Sequence, residues 1–417
     1  MNAGTPPLSV TRKWMVVCLL GLGMVIAYVD RANLSVVLAL KDFIRLFHLN
    51  DLDRGLLNSA FFWSYAALQI PVGWAVDRYG TKLPYAIGFL LWSLTSAATG
   101  LIQNMGQLVA ARVLLGVGES VSTAASLRWI RFNCAEGERG LATGILFSGT
   151  KFGAAAGVPV AAFLIARSGW RSMFLILGLG GLVWLIAWFP LVRNDHRRPW
   201  PVEPMRSASV TSLWEMLKTP TMWGIILGTF AYNYFIYFCL TWLPAYLMEA
   251  RHLSLNSMSV YTMFSFGGMA VVGIFAGWLS DTLIRRGRDP IRIRKIFTIL
   301  GFVAASTEIF GGISHSRSVA VFFALFSLSG LGLATANYWA LTQTLVPKSA
   351  IGRAVGLQNF ASNCSGIVAP IVTGGLKQLT GSYAAPMIAV LIVLLLGVCS
   401  YGVLVREQAW DRDGVTI

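Results

Sequence analysis

Charge is scarce in this sequence. Only 12% of its 417 residues are Asp, Glu, Lys or Arg, while 56% are hydrophobic. Soluble domains carry about 25% charged and about 45–50% apolar residues, so this chain has too little charge to face water on all sides. Cysteine is thin as well: Cys18, Cys134, Cys239, Cys364 and Cys399 are odd in number, scattered and without a CxxC pair. That spacing builds neither a disulfide framework nor a zinc site. Four histidines without metal-ligand spacing argue against a metal centre. No nucleophile triad is visible, and the glycine-rich string GVGES at 116–120 lies inside an apolar run rather than after a strand. Neither an enzyme nor a cofactor is expected.

What the chain has in abundance is apolar runs near the ~20 residues that cross a bilayer core. They read as twelve spans at 14–37, 55–76, 83–103, 107–130, 141–165, 172–192, 221–248, 258–280, 297–315, 319–345, 354–377 and 384–405. Arg12 and Lys13 ahead of the first run resemble a signal peptide, but the run continues past Asp30 without a cleavage site, so it reads as an uncleaved first span. The net charge of +15 would suggest nucleic acid in a soluble protein. Here the basic residues sit mainly in short loops, where they signal topology. Numbering the loops alternately puts 21 Lys and Arg on the side that holds the N-terminus and 8 on the other, with four inside spans. The richer side is expected to be cytoplasmic, with both termini on it.

Residues 193–219, rich in Arg, Pro and Ser, read as a cytoplasmic linker between bundles at 1–192 and 220–417. The halves echo each other. GWAVDRYGTK at 73–82 follows the second span and GWLSDTLIRRG at 277–287 follows the eighth, with Asp77 and Asp281 204 residues apart. Internal repeats of this kind are the mark of a transporter fold. The expected fold is therefore all-α: twelve transmembrane helices in two pseudo-symmetric six-helix bundles.

The repeated loops resemble the signature of the major facilitator superfamily, in which the loop Asp and Arg pair with neighbouring helix ends. The matching residues are Gly73, Asp77, Arg78, Gly80 and Lys82, and more loosely Gly277, Asp281 and Arg286. YVDRANLSV at 28–36, WSYAALQIPVGWAVDRYG at 63–80, RVLLGVGES at 112–120, ERGLATGILFSG at 138–149, GWRSMF at 169–174, YFCLTWLPAYL at 237–247 and NFASNCSGIVAPIVTGG at 359–375 narrow the likeness. They resemble the anion:cation symporter branch, which includes bacterial hexuronate, galactonate and glucarate transporters. Two departures stand out: Asn133, Cys134 and Ala135 replace the branch's Trp-Phe-Pro corner, and SVSTAAS after Glu119 lacks its prolines. The second bears on the bend of the fourth span.

Charges inside spans cost roughly 2.5–3.5 kcal/mol or more each. Asp30, Arg31, Arg112, Glu119, Arg128, Lys151 and Glu308 fall there. Asp30 and Arg31 point ~100° apart on one helix, so they address different partners. Arg112 and Glu119 share a face, about two turns apart. The resemblance implies proton coupling by Asp30 and Glu119, with Arg31 contacting a substrate carboxylate. The alternatives are ion pairs: Arg112 with Asp30, Glu119 with Lys151 or Arg128. Lys151 reads equally as an anion contact. Arg128, near the cytoplasmic end of its span, is expected to snorkel, and Glu308 to be structural. Gly149, Gly153 and Gly157 form a smooth face for close helix packing. Tyr28, Tyr65, Trp339, Asn359 and Asn363 complete the substrate contacts that the resemblance implies.

The function expected is import of a small organic anion, a sugar acid such as a hexuronate, aldonate or aldarate, with protons by alternating access. The alternative is an antiporter, either an anion exchanger or a drug exporter. The expected partners are the solute, protons and the lipid bilayer, with no nucleic acid, in a monomer spanning a bacterial inner membrane.

Overall fold

The structure, a computed structural model, describes residues 9–193, 213–346 and 350–406, and nearly all of them are helical. In the first half of the chain, α1 (Val10–Val37) and the short α2 (Lys41–Leu46) precede α3 (Asp51–Ala67) and α4 (Gln69–Tyr79), two limbs of one pass joined at Leu68. They are followed by α5 (Lys82–Thr99), α6 (Met105–Glu119), α7 (Val121–Asn133), α8 (Glu136–Gly181) and α9 (Val183–Leu191). In the second half come α10 (Leu213–Leu217), α11 (Pro220–Ala245) with a π-helical turn at Tyr246–Ala250, α12 (Leu255–Arg285), α13 (Pro290–Ser306) and α14 (Glu308–Ile313). The series closes with α15 (Arg317–Thr335), α16 (Asn337–Leu345), α17 (Ile351–Thr380) and α18 (Ala384–Cys399), the last extended by a π-helical turn at Ser400–Leu404.

Eight helical stretches are long and apolar enough to cross a membrane, and one of them, Glu138–Leu191, runs for 54 residues. It reverses at Gly169, whose φ of 79° only glycine adopts freely, and so makes two passes. With α3–α4, α5 and α17, the passes number twelve among the described residues, as the sequence predicts.

Local chemistry sets where the passes begin. Asn104, Ser254, Asp289 and Ser316 each accept a backbone N–H of the first turn of α6, α12, α13 and α15. Thr219 does so for α11, ahead of Pro220. These side chains satisfy amides that no helical carbonyl reaches. The fourth pass breaks at Ser120 without a proline. There Ser120 Oγ donates to Val117 O (2.7 Å) and Ser122 Oγ to Glu119 O (2.8 Å). Serine back-bonding of this kind bends helices, and it acts where the expected prolines are missing.

The residues cluster into two compact units: Met1–Val37 with Ala60–Pro201, and Leu38–Ser59 with Val202–Ile417. This departs from the boundaries 1–192 and 220–417 in one respect, since the segment 38–59 packs with the second unit. Contacts made by Asp51, Leu52 and Gly55 hold it there. A Cβ on Gly55 would sit 2.5 Å from Pro370 O, and one on Gly374 would sit 2.3 Å from Asp51 O. Most of the expected linker, 193–219, lies outside the described residues.

In the first unit α1 and α8 touch backbone to backbone. A Cβ on Gly149 would meet Gly21 O at 2.2 Å, one on Gly153 would meet Val25 O at 2.5 Å, and one on Gly157 would meet Val29 Cα at 3.0 Å. The glycine face expected from the sequence is therefore the seam that sets α1 in place, and α1 carries Tyr28, Asp30 and Arg31. Behind it Tyr85, Phe89, Trp184 and Trp188 stack at centroid distances of 4.2–5.1 Å. The indole N–H groups of Trp184 and Trp188 donate to Leu19 O and Lys82 O. In the second unit Tyr232 lies 4.5 Å from Tyr338 and Phe302 lies 5.8 Å from Tyr401, and Gln358 donates to Thr229 Oγ1.

Candidate functional site

In the first unit a cluster of buried charges lies on α1 and α6, against aromatic rings of α3. Arg31 Nε donates to Glu119 Oε2 at 2.7 Å, with Arg31 7% exposed and Glu119 fully buried. The Arg31 guanidinium lies over three rings, Phe61 at 4.5 Å, Tyr28 at 4.7 Å and Tyr65 at 4.9 Å. Cation–π contacts of this type are strongest where water is excluded. Asp30 points elsewhere, as its helical offset requires. Its Oδ1 accepts from Ser96 Oγ on α5 at 2.7 Å and from Asn33 Nδ2 at 3.5 Å.

Three atoms of this cluster are buried without a hydrogen-bond partner: Asp30 Oδ2, Glu119 Oε1 and Arg112 Nε. Arg112 is buried, stands 5.4 Å over Phe61, and shares the electrostatic surroundings of Glu119, Arg31 and Asp30. Unmet buried donors and acceptors are costly, and here three of them fall within one charge cluster.

The structure decides among the expected pairings. Glu119 is held by Arg31, not by Lys151 or Arg128, and Arg112 makes no ion pair with Asp30 among the described residues. Lys151, half-buried on α8, has no ion-pair partner among the described residues. Arg128 does not snorkel. It is 2% exposed and binds Asp77 Oδ1 at 3.0 Å, because the end of α4 brings that carboxylate to α7.

Other residues of the repeated loop serve the same end of the unit. Gly80 closes α4 at φ 79°, a conformation that favours glycine. Lys82 Nζ donates to Phe189 O at 2.7 Å at the end of α9, and Arg78 lies over Trp74 and Tyr79. Gly73 has open space where a Cβ would stand, so packing does not demand glycine there. In the second repeat Asp281 pairs with Arg294 at 3.1 Å, while Arg286, exposed, caps α12.

In the second unit Trp339 lies half-buried on α16 beside Tyr338, with ring centroids 5.2 Å apart. Asn363 on α17 is buried and Asn359, one turn earlier, is exposed. Glu308 is buried and accepts from Ser327 Oγ. Sequence reasoning passed over Phe61, Ser96 and Asn33. Phe61 was within reach of it, since it precedes Tyr65 by one helical turn and shares its face. Ser96 carries no such signal.

The sequence profile of the Major Facilitator Superfamily matches residues 20–370. The chain is 31% identical over 409 residues to a probable L-galactonate transporter of Escherichia coli (strain K12), covering 94% of this chain and 89% of that protein. It is 30% identical over 383 residues to a hexuronate transporter of Bacillus subtilis (strain 168), covering 89% and 90%. Among solved structures, a bacterial homologue of the human lysosomal transporter Spinster superposes with a TM-score of 0.82 at 18% identity, over 98% of this chain and 100% of that one; at that identity the likeness is one of fold. Transporters, not enzymes, make up this set, and on the strength of the profile match and these relatives the chain belongs to the major facilitator superfamily.

Proposed function

We propose that this protein imports a small organic anion, a sugar acid such as a hexuronate, aldonate or aldarate, together with protons by alternating access. It would work as a monomer in a bacterial inner membrane with both termini in the cytoplasm. The observation that carries this reading is Arg112: a buried guanidinium whose Nε lacks a partner, beside a second cation already engaged by a carboxylate. A buried charge is tolerated when an opposite charge and hydrogen bonds complete it, and a solute carboxylate does both. The L-galactonate and hexuronate transporters among its relatives agree with that solute class.

The coupling follows from the Arg31–Glu119 pair. A solute carboxylate that takes Arg31 leaves Glu119 buried without its counter-charge, and a proton then neutralises it. Release of the solute inside lets Arg31 return and the proton leave. Asp30, held by Ser96 with one oxygen open, is the second proton carrier. Arg112 and Lys151 supply positive charge. Tyr28, Tyr65, Trp339, Asn359 and Asn363 are the proposed partners for the solute's hydroxyls and ring.

The test is uptake into proteoliposomes. Asp30→Asn with Glu119→Gln is expected to abolish uptake driven by a pH gradient, while solute counterflow at equal pH continues. Full gradient-driven uptake in the double variant would sink the proposal. Net efflux coupled to inward proton flow in wild-type vesicles would assign the antiport mode instead.

A further inference from the structure

We propose that the second unit carries a separate docking site for the solute's carboxylate, at the end of the molecule that the loop charges place outside. This inference rests on the reading of the protein as an organic-anion carrier. The site is a cavity of about 700 Å³ formed by the π-helical turn and Arg251 after α11, the end of α14, and the turn between α17 and α18. That volume falls within the range of small-molecule pockets.

The wall is built to hold cations still. Arg251 Nε donates to Tyr246 Oη at 2.9 Å, and its Nη2 donates to Gly311 O at 2.7 Å and Gly312 O at 3.1 Å. These contacts fix the plane of the guanidinium and leave Nη1 without a partner among the described residues. Lys377 contributes a second cation from α17. Gly381, at φ 67°, ends that helix and turns the chain so that Ser382 and Tyr383 complete the lining with exposed His315. Glu249 is the one acid in the lining, and it is already bound by Arg54 at 2.7 Å and Lys377 at 2.6 Å, with Tyr383 donating at 2.9 Å. The cavity therefore presents more positive than negative charge, with hydroxyl groups beside it, which is the chemistry that receives a hydroxylated carboxylate.

Lys377 belongs at once to this wall and to a closed ring of charges. Asp51 and Arg54 meet at 2.7 Å, Arg54 and Glu249 at 2.7 Å, Glu249 and Lys377 at 2.6 Å, and Lys377 and Asp51 at 2.8 Å. A carboxylate seated in the cavity competes with Glu249 and Asp51 for Lys377. Docking thereby loosens the hold on segment 38–59, the segment that leads from α1 into α3. The site gathers the anion and weakens the ring in one event.

The experiment measures sugar-acid uptake by the full-length protein in proteoliposomes at low and high ionic strength. Arg251→Gln is expected to raise the KM for galactonate or glucuronate roughly fivefold or more at low salt. Vmax should stay within about twofold, and 0.5 M KCl should remove most of the difference. Because Arg251 also caps α14, His315→Asp, which adds a negative charge at the exposed rim without touching that cap, is the second variant and is expected to raise KM in the same salt-dependent way. Unchanged KM in His315→Asp, in protein that melts like wild type, overturns the docking site alone. Absence of uptake and binding for every sugar acid tried in wild type overturns the carrier reading and the site with it.

Discussion

Two groups of charges in this protein, one buried and one partly exposed, look alike in composition and differ in how they are completed. The cluster of the first unit, Asp30, Arg31, Arg112 and Glu119, holds the Arg31–Glu119 ion pair and, among the described residues, leaves a buried atom open on each of three residues. The ring of the second unit, Asp51, Arg54, Glu249 and Lys377, closes on itself through four ion pairs. Both oxygens of Glu249 have donors there, and Arg54 and Lys377 also lie over Trp242. Of the ring's fully buried atoms, Arg54 Nε is left open. A group whose hydrogen bonds are met inside the protein holds structure, and a group left unmet in a dry place waits for a ligand or a proton. Under the proposed function, the difference fits solute and proton binding at the first set and a chiefly structural hold at the second.

The largest effect is expected from removing one half of the open cluster's pair. Arg31→Ala strands the fully buried Glu119 carboxylate, a change worth about 3–5 kcal/mol when a buried pair loses one member. Thermal unfolding of the purified protein should show it as a large loss of Tm. Combining Arg31→Met with Glu119→Leu should recover most of that loss without restoring transport, because two well-packed apolar groups replace the pair at little cost. A double variant as unstable as Arg31→Ala would mean that the aromatic cage around Arg31 carries the stability, and the contrast with the ring would weaken.

The ring should respond less and in a different way. Glu249→Gln removes the charge shared by Arg54 and Lys377, but Glu249 is about one-fifth exposed, so solvent screens part of the loss. A cost of about 1–2 kcal/mol is expected. It should be largest at low ionic strength and shrink in 0.5 M salt, where exposed pairs are screened. A loss of stability that does not depend on salt would show the ring to be as dry as the cluster.

How much of this could be read from the chain follows the same line. The twelve passes, the repeat around Asp77 and Asp281, and the glycine seam at 149, 153 and 157 were legible because hydropathy, a fixed half-chain offset and four-residue spacing are one-dimensional signals. The placement of Asp30 and Arg31 toward different partners was legible too, since it follows from helical rotation alone. Which partner each takes was not. Arg31 reaches Glu119 across 88 residues and Asp30 reaches Ser96 across 66, distances that no local pattern encodes. The ring escaped notice because Arg54 and Lys377 read as ordinary loop charges, and nothing in sequence says that Glu249 stands between them. Segment 38–59 likewise follows α1 in the chain, yet its contacts are with residues beyond 240.

The repeated loop offers the smallest and cleanest comparison, since one motif occurs in both settings. Asp77 binds Arg128, a guanidinium that is 2% exposed, whereas Asp281 binds Arg294, which is 19% exposed, and both aspartates stand more than half in solvent. Removing the carboxylate takes one ionic contact from a buried cation in the first case and from a partly exposed one in the second. Asp77→Asn should therefore cost about 1–2 kcal/mol, and Asp281→Asn no more than about 0.2–1 kcal/mol, read as shifts of the thermal midpoint under identical conditions. Equal losses would place the energy in the aspartates' own exposed surroundings. The unequal losses expected here would place it in the burial of the arginine, the same property that separates the open cluster from the closed ring.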